Sequence, residues 1–114
     1  MKDTLPAACS EAQLQDMVLD LARYCDWRVV HFRQGRTAKG WRTPVSGDGR
    51  GFPDLVLLRG AKQLVVELKA QRGRLTPEQN AWLNAFRLAG VDARVWRPAD
   101  WSEIQQTLTQ GATL

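Results

Sequence analysis

The sequence predicts an α/β fold in which a four-stranded sheet is covered by helices on both faces. Three observations carry that expectation. Apolar residues recur at helical spacing in two separate stretches, around Leu14–Ala22 and around Trp82–Phe86. Short β-branched and aromatic runs lie between and after them, bounded by Gly, Pro and Asp. The runs LVLL and LVVEL carry apolar residues on both parities, so neither face of their sheet can meet water and helices must flank it.

Each element has its own local signal. Ser10 suits an N-cap and Gln13 the capping-box position, and Leu14, Met17, Val18, Leu21 and Ala22 then predict a helix over residues 11–24. Asp26 turns the chain into WRVVHF, residues 27–32, a first strand. The following segment, about 33–51, is rich in Gly, holds Pro44 and shows no sustained period, which predicts a long loop. Residues 54–58 and 63–70 predict two strands around the turn Arg59-Gly60-Ala61-Lys62, paired antiparallel. Thr76, Pro77 and Gln79 supply an N-cap, a proline at the first helical position and a capping-box partner, so a second helix runs to about Ala89. Its packed face is expected to hold Trp82, Leu83, Phe86 and either Ala89 or Leu88, with Gly90 ending it. A fourth strand is predicted over 91–96 and a last helix over about 98–108.

Length and composition bound what such a chain can do. With 114 residues it predicts a single domain over 1–114, and 44% hydrophobic with 25% charged residues is the composition of a soluble globular protein. No apolar run approaches the ~18 residues of a membrane span. The opening MKDTLPAACSEAQLQ lacks the apolar stretch of a secretory signal. Cys9 and Cys25 stand at no metal-ligand or redox spacing, which fits a reducing compartment, and a cytoplasmic location is expected.

The net charge of +4 is unevenly placed. Arg33, Arg36, Lys39, Arg42 and Arg50 face one acid, Asp48, in the long loop, and the rest of the chain balances eleven bases against eleven acids. A phosphate backbone is the partner such a concentration suits. Trp41, between Lys39 and Arg42, can stack on an exposed base or serve as a packing residue. His31 lies within an apolar strand and reads as structural, and Trp27, Trp82, Trp96 and Trp101 read as core.

Asp54, Glu67 and Lys69 interrupt the two apolar strands, and charged side chains are seldom buried unless paired or holding a metal. Along a strand Glu67 and Lys69 point the same way and Leu68 the other. If the two strands pair as a hairpin, Asp54 at the start of one meets Glu67 near the end of the other. A hard divalent cation would relieve the repulsion between those carboxylates. Each piece also has a plain reading: a turn before a strand for Pro53-Asp54, a solvated pair for Glu67 and Lys69, a favourable helix-end charge for Glu11, and a capping residue for Gln79.

Taken in series, Glu11 on an opening helix, Gly51-Phe52-Pro53-Asp54, Glu67-Leu68-Lys69 and GRLTPEQ (residues 73–79) followed by Trp82-Leu83 resemble the VRR-NUC family of PD-(D/E)xK nucleases over about residues 10–97. That resemblance implies an α/β restriction-endonuclease-like core with a central mixed sheet, which agrees with the order α-β-β-β-α-β-α that the local signals give. It implies a metal-dependent DNA endonuclease of the Holliday-junction or other branched-DNA type, using Mg²⁺ or Mn²⁺, acting as a homodimer and needing no small-molecule cofactor and no membrane. Asp54, Glu67 and the Leu68 backbone carbonyl would hold the metal, Glu11 would approach it directly or through water, and Lys69 would be the catalytic lysine. Gln79 would line the site and Gln15, one turn beyond Glu11, would support it. Arg33, Arg36, Lys39, Trp41, Arg42 and Arg50, with Arg72 and Arg74, would bind DNA. The rival expectations are a non-catalytic DNA-binding module on the same fold, and a flap-, end- or RNA-directed nuclease.

Overall fold

The computed structural model describes residues 5–6, 8–32, 35–37, 40–42 and 49–111. Ser10 caps α1 (Glu11–Tyr24): its hydroxyl accepts the Gln13 N–H, and the Gln13 side chain accepts the Ser10 N–H. Strand β1 (Arg28–His31) follows, then β4 (Leu55–Arg59) and β5 (Lys62–Leu68), helix α2 (Pro77–Leu88), strand β6 (Asp92–Trp96) and, after a 3-10 turn at Pro98–Asp100, helix α3 (Trp101–Thr109). The segment expected as plain loop contains a two-stranded ribbon, β2 (Gly35–Thr37) with β3 (Gly40–Arg42), in which Arg36 is paired opposite Trp41. Strands of three residues are too short to show a period, so no pattern in the sequence announces them.

The sheet order is β1-β4-β5-β6. The first three strands are antiparallel and β6 runs parallel to β5, which α2 makes possible by crossing between them. The sheet is therefore mixed, as expected.

Alternation along the strands separates two cores. Leu55, Leu57, Leu64, Val66, Leu68 and Trp96 face α1 and α3, where Leu14, Val18, Ala22, Ile104 and Leu108 meet them. Val56, Val65, Ala93 and Val95 face α2, where they meet Leu83 and Phe86. Trp27 and Trp96 are fully in the core, whereas Trp82 and Trp101 are half-buried. Leu88 is 90% exposed and Ala89 is exposed as well, so the packed face of α2 ends at Phe86.

Both faces converge on one place, the end of β5 beside the start of β4. The register Leu55↔Val66 puts Asp54 and Glu67 next to one another across the ladder. Beyond Leu68 the strand ends, two residues earlier than the sequence suggested, and Lys69 and Ala70 leave the sheet.

Candidate functional site

Asp54 is held by the strand it faces. Its Oδ2 accepts the Leu68 N–H at 2.8 Å, and its backbone carbonyl accepts the Phe32 N–H at 2.8 Å. In a strand the N–H and C=O of one residue point to the same side, so the Leu68 carbonyl also faces the Asp54 side of β5.

Glu67 is 2% exposed and is the one charged side chain buried among the described residues. Its Oε2 accepts a hydrogen bond from Gln79 Nε2 at 3.3 Å. Its Oε1 is buried with no hydrogen-bond partner, an arrangement that costs about 1–3 kcal/mol for a polar group and more for a charged one. Burial is the main cause that pushes the Glu67 carboxyl up to about 9, followed by the adjacent Asp54 carboxyl group, with Lys69 partly opposing. Glu11 stands at the surface of α1, yet partial burial of its carboxyl and then the Asp54 charge raise its pKa, again against Lys69. Glu11, Asp54, Glu67 and Lys69 thus act on one another electrostatically where the start of α1, the start of β4 and the end of β5 come together.

Two adjacent carboxyl groups with one buried oxygen unpartnered need either a shared proton or a cation. The donor set is all oxygen: Asp54, Glu67 and the Leu68 carbonyl, which suits a hard divalent ion that keeps several waters. Among the described residues no group of three or more His, Cys, Asp or Glu side chains is placed to hold a metal ion, and Glu11 reaches the pair as a neighbouring charge. Gln15, half-buried one turn further along α1, has no hydrogen bond to the site among the described residues.

Gln79 does two jobs with one amide. Its oxygen accepts the Thr76 N–H at 2.9 Å, completing the capping box, and this leaves the NH₂ directed at Glu67. The sequence showed only the first, because a capping box is already a sufficient explanation for a glutamine there.

The chain before Asp54 is fixed to the same helix. Gly49–Phe52 is a turn closed by Phe52 N–H to Gly49 O at 3.1 Å, and Gly51 at its third position has φ +82°. A Cβ on Gly51 would lie 2.6 Å from the Glu78 carbonyl carbon and 2.8 Å from the Gln79 nitrogen. Phe52 meets Phe32, Trp82 and Phe86 edge-on at 5.0–5.8 Å between ring centres, and the Trp82 indole N–H donates to Arg50 O at 3.1 Å. Sequence reading assigned Trp82 to the core and missed this tie, since the four aromatic rings come from three distant segments with no common spacing.

Of the residues expected to bind DNA, Arg50, Arg72 and Arg74 are exposed on loops adjoining the site. Arg33 and Lys39 lie outside the described residues, as do the side chains of Arg36, Trp41 and Arg42, whose backbones form the β2–β3 ribbon.

A family model, the VRR-NUC domain, matches residues 9–100. A solved structure described as a VRR_NUC domain superposes with a TM-score of 0.61 at 19% identity, over 91% of this chain and 99% of that one. No curated protein matches.

Proposed function

The chain belongs to the VRR-NUC family of nuclease-type, DNA-processing domains, and from that premise we propose that it is a Mg²⁺- or Mn²⁺-dependent structure-specific DNA endonuclease. The observation that carries the reading is the buried, unpartnered Oε1 of Glu67 beside Asp54. Asp54, Glu67 and the Leu68 carbonyl would hold the cation, with Glu11 reaching it through water. A divalent ion bound there supplies Lewis acidity toward a phosphate oxygen and lowers the pKa of water.

The protein's own groups do the rest. The Leu68 N–H holds Asp54 and the Gln79 amide holds Glu67, so both carboxyl groups are oriented by the chain itself. Lys69 orients the attacking water and offsets charge that develops on the phosphate. Gln15 supports the α1 side. Arg50, Arg72 and Arg74, with Arg33, Arg36, Lys39 and Arg42 of the basic segment, neutralise flanking phosphates, and Trp41 stacks on a base exposed at a junction.

Shape is the preferred object of recognition, because nothing in the chain resembles a reader of base sequence such as a helix-turn-helix. Branched DNA is the proposed substrate, cut in pairs by a two-fold homodimer. The two cysteines are free, in keeping with the cytoplasm.

The deciding experiment offers four-way junction, flap, duplex and single-stranded DNA with Mg²⁺, Mn²⁺, Ca²⁺ or EDTA. Cutting of the junction in Mg²⁺ or Mn²⁺, binding without cutting in Ca²⁺, and no cutting in EDTA are expected. Binding without cutting under every metal would make the protein a DNA-binding module, and preference for the flap would replace the junction reading.

A further inference from the structure

The four residues after Lys69 form a turn whose conformation is imposed from elsewhere in the chain. Gly73 N–H donates to Ala70 O at 3.0 Å, closing Ala70-Gln71-Arg72-Gly73 as a β-turn. One terminal nitrogen of Arg97, just past β6, donates to Ala70 O at 2.9 Å and Gly73 O at 2.6 Å, with Gln71 O at 3.5 Å. The Gln71 side chain is also drawn inward, accepting the Ala99 N–H at 2.8 Å. Arg97 is itself anchored, its N–H donating to Asp100 Oδ2 at 2.8 Å.

Of the four residues of the turn, Ala70, Gln71 and Gly73 are half-buried and Arg72 is exposed. The turn also packs on the lysine stem: a Cβ at Gly73 would stand 3.4 Å from Lys69 Cδ, ordinary contact. Arg97 is half-buried, with that nitrogen committed to carbonyls, so the residue is built to shape the turn.

We infer that Arg97 is a positioning residue for DNA binding, holding the Ala70–Gly73 turn so that Arg72 reaches a phosphate next to the one addressed by Lys69. The inference rests on the DNA-processing reading above. An arginine suits the task because the guanidinium plane fixes the directions of that nitrogen's N–H groups, whereas the donors of an ammonium rotate freely.

The test measures junction-DNA affinity in Ca²⁺ over a salt series, where binding is read without cleavage. Arg72→Ala and Arg97→Ala are each expected to weaken binding about three- to tenfold and to reduce the salt slope by about one. The double variant is expected to bind no worse than Arg72→Ala alone, because Arg97 then has nothing left to position. Arg97→Lys should recover part of the loss. If Arg97→Ala does not fold, Arg97→Lys and Gln71→Ala take its place in the same cycle with Arg72→Ala. Additive losses, or an unchanged salt slope in a folded variant, would overturn the inference. A wild type that binds junction DNA but never cuts it would sink the nuclease reading alone, and one that does not bind DNA would sink both.

Discussion

Burial, an unpartnered oxygen and a raised carboxyl pKa meet in Glu67, and the role proposed for it predicts that its removal stops cutting without unfolding the chain. Glu67→Ala, Asp54→Ala and Lys69→Ala are each expected to abolish cutting while circular dichroism stays that of the wild type; a folded Lys69→Ala protein with full activity would rule out the proposed lysine role. The pH dependence has a definite sign. The folded carboxyl of Glu67 keeps its proton to about 9 against the usual 4.5, so between those values the native metal-free protein binds more protons than the unfolded chain. Its stability is full below about pH 4.5 and falls as the pH rises toward 9. Urea midpoints in EDTA should therefore decline from pH 5 to 9, and Glu67→Gln should flatten that decline. At this scale Asp54, Glu67 and Lys69 were legible because a charge within an apolar strand demands a reason. Gln79's bond to Glu67 and Arg97's grip on the turn were not, since each depends on which segments meet in three dimensions.

Helix α2 and the turn before β4 behave as one unit. Its N-terminus carries Gln79 to Glu67, and Gly51 sits against that same end with no room for a methyl group. Gly51→Ala is expected to destabilise by about 1–3 kcal/mol, combining a left-handed backbone with a backbone clash, and to lower cutting beyond what unfolding explains. Thr76→Ala removes the N-cap and should cost about 1 kcal/mol in urea denaturation. Element types and most boundaries were readable from capping residues and apolar periodicity. The β2–β3 ribbon was not, and neither was the exposure of Leu88, because a helix wheel shows an apolar stripe but not where the sheet beneath it stops.

At the scale of the molecule the decisive property is where charge sits. The surplus of positive charge belongs to the segment ending at Arg50, which joins the site through the aromatic rings around Phe52. Replacing Arg36, Lys39 and Arg42 together by Ala should flatten the salt dependence of DNA affinity by two to three in slope, or about one per lost phosphate contact. Sedimentation should show a dimer at micromolar concentration; monomer throughout would remove paired cutting. No described helix is long and apolar enough to cross a membrane. Composition gave the charge asymmetry directly, whereas the mixed sheet came only from the family resemblance, as local patterns do not reveal strand direction. The central place of β5 has one more effect. It has a strand on either side and helices over both faces, so its amides should be among the last to exchange with heavy water, opening only when the whole molecule does. A carboxyl set in so protected a strand keeps its proton up to about pH 9, or yields it to an ion that takes the same place.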